Sequence, residues 1–530
     1  MSDSTSPDVT SLQSPVEEAS STEVFAVHGA EPEVLAYAMA KYSRSALSMK
    51  ESLREINGQK AEKFLNTFYF QYGHRSIADL AHIALAIEKL SILAAIAVVD
   101  EQRWDGQERS TRYQDFKKGG WYVPAFGGNS AASASYDRAI RTLFSEYTFF
   151  SEAMFRELAR TTPCPADMKP EVYDRTLRAR AFDISRYLLP LATNTSLGQI
   201  VNARTLETQI SRLLSSGYGE IRMLGERLKL AATEPAYNIN EESWRDLIQA
   251  AQNSDPHLAA FAGQQYKNVR VAPTLVKYAE PSPYALESRR ALTQAAASLM
   301  GSAPVNPAPV VDLLEDEPLD VELATTLLYE YCHYPYRQIR DHVQDLPEAR
   351  RKEIIDLGTA SRGRHDELLR AFCSGQRFRF DILMDIGGFR DMHRHRRCVQ
   401  VGQEFTALHG FDIPGEIRDA GLEPRYEAAM QQAAQSAAAL AGELNRSGGS
   451  EGEATSHYIL PLGYRKRTLF KMDFAEVVYI AELRTTPAGH MSYRRAAYAM
   501  FEETVRRYPS LAGCFARVTD VREPVDLLKR

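Results

Sequence analysis

Residues Gly73–Phe116 read GHRSIADLAHIALAIEKLSILAAIAVVDEQRWDGQERSTRYQDF. A polar turn leads into an apolar run, Ile83–Val99, and the stretch closes on charged and aromatic residues. The run carries Glu88 and Lys89 inside it and falls short of a membrane-spanning helix. Its first part, His82–Ile87, is β-prone, and a second β-prone stretch, Phe378–Met384, lies in the other half of the chain. Around them the apolar residues recur at helical spacing over Ile140–Leu158, Leu206–Leu230, Glu427–Leu444 and Met491–Arg506. These patterns predict an α+β fold, with a small sheet packed by helices in each half.

A chain of 530 residues is too long for one hydrophobic core, so two domains are expected. The divide falls at Gly301–Asp320, GSAPVNPAPVVDLLEDEPLD, where four prolines near a glycine and an acidic run disfavour both helix and strand. Residues 24–300 and 321–530 are then the two domains, with 301–320 as linker. Met1–Glu23, rich in Ser, Thr, Pro and acid, reads as a disordered leader and lacks the basic and apolar regions of a signal peptide. A net charge of -6 gives no global attraction to nucleic acid or to an anionic membrane, so any anion site is local. The five cysteines are scattered without a C-x-x-C pair, which excludes a zinc knuckle or disulfide framework and fits a reducing cytoplasm.

The halves repeat each other. Tyr187-Leu188-Leu189-Pro190 and Arg212 in the first correspond to Tyr458-Ile459-Leu460-Pro461 and Arg484 in the second, at offsets of 271 and 272 residues.

Gly73, His74 and Ser76, followed by Glu108, Ser110, Arg112 and Tyr113, resemble the flavin-dependent thymidylate synthases (the ThyX family), in which G-H-x-S precedes R-H-R-x-x-S-x-N-x-x-S-x-R-Y. The three R-H-R positions fall here on Asp100, Glu101 and Gln102. Arg186 before Leu189-Pro190, then Asn202-Ala203-Arg204, Arg212 and Glu220-Ile221-Arg222, resemble the family's A-R-x-x-L-P, N-x-R, L-R and E-I-R segments. In the second half Arg394-His395-Arg396 supplies the triplet, while the S-x-R-Y positions hold Glu404, Thr406 and Ala407. The second N-x-R has become Asp473 and Ala475, and Arg484 remains. Each half keeps what the other lost.

The resemblance implies two tandem ThyX-like copies and an FAD enzyme that methylates C5 of dUMP to dTMP, with methylenetetrahydrofolate as carbon donor and NADPH as reductant. Cofactor-binding residues would be His74, Ser76, Glu108, Asn202, Arg204, Arg394, His395 and Arg396; substrate would meet Glu108, Ser110, Thr111, Arg112, Arg186, Arg394 and Arg484. Arg484 or Arg212 would polarise the uracil. The residue types suit the chemistry, because a nucleotide dianion is held by guanidinium and hydroxyl donors, and an Arg-His-Arg triplet offers donors to a flavin. No metal is implied. Family members are tetramers with 222 symmetry, so a two-copy chain is expected to form a homodimer that mimics them. Each working site would be composite, giving one flavin and one nucleotide per chain. The opposite position would present Asp100, Glu101 and Gln102 and lack a phosphate clamp. Two other readings fit the same residues: a degenerate flavin- or nucleotide-binding protein, and methylation of another uracil nucleotide.

Each motif also has a plainer reading. Met392–Arg397, MHRHRR, taken alone is a solvated basic turn or helix face. Its histidines, two apart, point to different sides of a helix and have no acidic or Cys partner at ligand spacing. His74 alone is a structural histidine, Ser110 a helix cap and Cys164 a loop thiol.

Overall fold

Two antiparallel sheets organise the chain. In the computed structural model the described residues are 25, 27, 29–41, 48–55, 58–67, 75–117, 119–266, 268–364, 366–446, 452–522 and 528. The expected leader 1–23 and His74 lie outside them. The first sheet is built from β1 (His82–Ser91), β2 (Asp105–Glu108) and β3 (Asn194–Asn202) in the order β1-β3-β2. The second has β4 (Val311–Leu313), β5 (Phe378–Asp385), β6 (Val399–Gly402) and β7 (Arg465–Met472) in the order β4-β5-β7-β6. The fold is α+β, with β1 and β5 at the two β-prone stretches.

The apolar run Ile83–Val99 is half strand and half helix. β1 alternates, burying Ile83 and Ile87, and a bulge between Glu88 and Leu90 puts Lys89 at φ 59° before Ser91 caps the buried helix Ile92–Val98. Ser91 Oγ accepts from Ala94 N and donates to Glu220 Oε2 at 2.6 Å. The second half uses the same turn with the partners exchanged: Asp385 caps Ile386–Met392 and accepts from Ser492 Oγ. β3 and β7 likewise pass directly into helices, Ala203–Leu214 capped by Asn202 and Phe474–Arg484 capped by Asp473. The change from Asn to Asp therefore preserves the cap. The periodic stretch Leu206–Leu230 is two helices, Ala203–Leu214 and Gly219–Thr233. Ser215, Ser216 and Gly217 break it: the two serine hydroxyls bond backbone groups, and glycine is a weak helix former.

Gly301 at φ 54° closes the helix Pro283–Met300, and β4, inside the proline-rich stretch 301–320, pairs with β5. The halves lock together where their L-P segments meet. Leu191 N donates to Leu460 O (2.9 Å), Ala192 N to Tyr458 O (2.9 Å), Leu462 N to Leu189 O (3.0 Å) and Gly463 N to Tyr187 O (3.0 Å). The long helices Ser130–Thr161 and Glu423–Arg446 pack across the same boundary, with Phe150 edge-on to Tyr426 and Arg425 paired with Glu146. One hydrophobic core thus runs through both halves. No described helix is long and apolar enough to cross a membrane, and no described group of His, Cys, Asp or Glu is arranged to hold a metal.

Candidate functional site

β2 ends at Glu108 and delivers Ser110, Thr111 and Arg112 to the junction between the halves. Ser110 is no helix cap: its Oγ accepts from Arg112 N at 3.2 Å, which tightens the turn. Arg112 is buried and all three of its guanidinium nitrogens are engaged. Nε and Nη2 grip Asp183 at 2.9 and 3.2 Å, Nη1 meets Tyr493 Oη at 3.0 Å, and Nη2 also reaches Ala488 O at 2.9 Å. Burial disfavours the Asp183 carboxylate, but His490, Arg186 and Arg112 together overcome this and hold its pKa down to about 2.

Arg186, one helical turn after Asp183, is 2% exposed. Its Nη1 lies 3.5 Å from Thr111 Oγ1 and 3.9 Å from Asp391. The second half contributes Arg390, which donates to Thr111 Oγ1 at 3.3 Å and pairs closely with Glu108, and Arg394, 3.9 Å from the same carboxylate. Four guanidiniums (Arg112, Arg186, Arg390, Arg394) thus meet three carboxylates (Glu108, Asp183, Asp391), leaving one positive charge over, and Arg180 lies within electrostatic range of both Asp183 and Glu416. His490 adds none, because burial lowers its pKa to about 3. Among the described residues, Arg186 Nη2 and Arg390 Nε are buried without a hydrogen-bond partner, and Arg186 Nε makes no hydrogen bond but lies 3.4 Å from Asp183 Oδ1.

Two clefts open here. One, of about 300 Å³ and partly solvent-exposed, is lined by Trp104, Gly106 and Glu108 from the first half and Arg390, His393 and Arg394 from the second. The other, open to solvent, holds the acidic triplet Asp100-Glu101-Gln102 together with His395 and Arg396 of the basic one. The acidic triplet, expected at an opposite site, therefore shares a cleft with the basic one, and its charges are internally paired. Asp100 meets Arg370 Nη1 at 2.5 Å. Arg396 lies 5.0 Å from the Trp104 ring centroid with Nη2 buried and unpartnered, and burial lowers its pKa to about 10. His393 lines both clefts. Gln400 spends its amide donor on His395 O at 2.9 Å, so its Oε1 accepts from His393 Nδ1 at 2.8 Å. That leaves His393 Nε2 as a buried acceptor without a donor, and burial lowers this imidazole to about 4. The run Met392–Arg397 is thus no solvated face, since Met392, His393 and His395 are buried.

The two candidate catalytic arginines are held differently. Arg212 gives Nε to Glu101 at 2.9 Å and Nη2 to Ala97 O at 2.7 Å. Arg484 gives only Nε, at 2.8 Å, to His395 Nε2, and Tyr493 lies under its guanidinium at 5.5 Å. His395 Nδ1 in turn meets Glu476 Oε1 at 3.1 Å. Of the remaining expected residues, Ser76 is exposed in the turn Arg75–Leu80, Asn202 spends its side chain on the helix cap, and Arg204 pairs with Asp79 and Glu367.

At the equivalent position on the other side, the place of Arg186 is taken by His457 and that of Glu108 lies near Glu404. His457 bonds Tyr218 Oη at 2.7 Å, His333 stacks edge-on to His409, and Lys466 donates to Gln403 O beneath Phe405. Side chains of the protein itself occupy that region. Reading the sequence missed Asp183, Arg390, Asp391, His393 and Glu476. Asp183 had a signal, a carboxylate one turn before Arg186; Arg390 and Asp391 sit one turn ahead of the triplet.

The family profile described as "Thy1: Thymidylate synthase complementing protein" matches residues 26–234 and 334–510. A UPF0159 protein of Chlamydia muridarum is 28% identical over 97% of this chain and 94% of its own length. The flavin-dependent thymidylate synthase of Clostridium tetani is 23% identical over 39% of this chain and 80% of its own. Among solved structures, the flavin-dependent thymidylate synthase ThyX of Helicobacter pylori, complexed with FAD and dUMP, covers 38% of this chain and 89% of its own length at 16% identity and a TM-score of 0.26. The two matched stretches take up well over half of the chain, one in each half, and the chain belongs to the Thy1 family of thymidylate synthase complementing proteins.

Proposed function

We propose that this chain is a flavin-dependent enzyme that methylates C5 of dUMP, at a site made jointly by its two halves. The observation that carries the reading is the set of buried, unpartnered guanidinium nitrogens on Arg186, Arg390 and Arg396. A buried donor left without an acceptor costs about 1–3 kcal/mol, more when charged, so such a set is tolerated where an anionic ligand completes it. A nucleotide phosphate supplies the acceptor oxygens and negative charge that this excess of guanidinium donors lacks, and the residues therefore fit the groups the family uses.

In this reading Arg186 and Arg390 hold the phosphate with the hydroxyls of Ser110 and Thr111. Arg112, whose guanidinium nitrogens are already engaged, braces the loop against Asp183 and the second half. Arg484 keeps both Nη groups for the uracil, where a fixed positive charge stabilises the ring as N3 ionises. Arg394, Arg396 and the acceptor His393 Nε2 face the clefts where a flavin ring would lie, over Trp104. Bound FAD would supply the reductive transfer, with methylenetetrahydrofolate as carbon donor and NADPH as reductant. Loss of arginines at the opposite position leaves this one intact, which favours a working enzyme over a wholly degenerate binder.

The test is direct. The purified chain should be yellow or take up added FAD, bind dUMP and form dTMP with methylenetetrahydrofolate and NADPH. A colourless protein that takes up no FAD refutes the proposal.

A further inference from the structure

Glu476 is 2% exposed, and it belongs to none of the motifs that mark the site. It lies on the first turn of the helix Phe474–Arg484, whose last residue is Arg484, so one helix carries both. His395 stands between them, its ring accepting from Arg484 Nε on one nitrogen and meeting Glu476 on the other. Arginine has only donors, so His395 Nε2 must present its lone pair, and the ring proton must then sit on Nδ1, where Glu476 accepts it. Burial lowers the pKa of this imidazole, which favours the neutral ring this arrangement requires. The chain is carboxylate, neutral imidazole, guanidinium.

The first half shows what happens without the imidazole. Glu101 occupies the place of His395 and takes Arg212 directly, neutralising it, while Thr205 stands where Glu476 would be. In the second half the carboxylate sits one ring further from the arginine. Arg484 is oriented through its Nε yet, among the described residues, meets no carboxylate within ion-pair range, so its charge and both Nη groups stay available.

We infer that Glu476 is a positioning residue for Arg484, acting through the tautomer of His395. The inference rests on the proposed role of Arg484 toward a uracil nucleotide. Without Glu476 the ring proton can move to Nε2 and turn a donor on Arg484.

The experiment is a double-mutant cycle on the full-length, FAD-loaded chain, reading dTMP formation, dUMP affinity by calorimetry and melting temperature. Glu476→Ala should lower turnover about 10- to 100-fold, the range seen when a partner that fixes a ligating histidine is removed. Glu476→Gln, which keeps an acceptor oxygen for Nδ1–H, should recover most of that loss. In an Arg484→Ala background Glu476→Ala should cost nothing further, because the two act as one unit. An equal fold-loss in both backgrounds marks a merely structural role and overturns the inference. Should Glu476→Ala fail to fold, His395→Phe, which keeps a ring against Tyr479, gives the same comparison. A chain that binds and converts dUMP while Glu476→Ala behaves as wild type overturns this inference alone. A chain that takes up no dUMP overturns the reading of the site and this inference with it.

Discussion

Among the described residues Arg484 makes a single hydrogen bond, from Nε, whereas Arg212 spends Nε and Nη2 on Glu101 and a carbonyl. Arg484→Ala should therefore cut turnover by about 10²–10³-fold, as loss of one fixed charge-stabilising donor does. Arg212→Ala should leave turnover near wild type and cost roughly 1 kcal/mol or less, since its side chain is 34% exposed and screened by water. Parallel kinetics and melting curves check this, and similar activity losses in both variants would contradict it. Asp385 supplies a pH prediction. It is fully buried, and burial together with Asp412 raises its pKa from 3.8 to about 6. Between those two values the unfolded carboxyl has ionised while the folded one keeps its proton, so stability falls as pH rises from about 4 to 6. The loss is on the order of 3 kcal/mol. Asp385→Asn keeps an oxygen for the cap to Gly388 N and has nothing to ionise. It should raise the melting temperature at pH 7.5 and change it little near pH 4. A wild-type chain whose stability rises through that window more steeply than the variant's would refute the assignment.

The elements that aim these side chains are short and abrupt. β1 and β5 each turn into a buried helix with no loop, which requires a cap at the turn, Ser91 in one half and Asp385 in the other. Their buried partners, Glu220 and Ser492, have traded roles, so a carboxylate and a hydroxyl are conserved as a pair while their positions swap. Lys89, just before the first of these turns, is held at φ 59°, where a side chain costs about 1–2 kcal/mol. Lys89→Gly should stabilise the chain by about 1 kcal/mol, measured by denaturant unfolding. A loss of stability would mean that the lysine side chain contributes more than its backbone strain costs.

The whole chain behaves as two halves sharing one core. Four backbone hydrogen bonds cross at the L-P segments and the long helices pack together, so a half expressed alone exposes Phe150 or Tyr426 and the apolar surface around them. Separate halves should be insoluble or molten, and co-expression should restore a folded pair; a monodisperse, cooperatively melting half would refute this. Because Lys466 and His457 occupy the second position, calorimetric titration should find one dUMP per chain. Two sites of similar affinity would overturn the composite site. We further propose that two chains associate, and light scattering that gives a stable monomer of 59.5 kDa would count against it.

Motif order and hydrophobic period were enough to read the family resemblance, the α+β class and one strand of each sheet from sequence. They are local properties: His82–Ile87 and Phe378–Met384 are β-prone on their own, and the long helices keep their apolar stripe. The sequence also determined that guanidinium groups are divided between the halves, since Arg112, Arg186, Arg394 and Arg484 stand at motif positions. It did not determine which of them are free. Arg112 and Arg212 are bound by Asp183 and Glu101, residues 71 and 111 positions away, and Arg484 by a histidine 89 positions away. Whether a charge is neutralised depends on what lies within about 4 Å of it. At these separations only the packing of the two halves sets that distance.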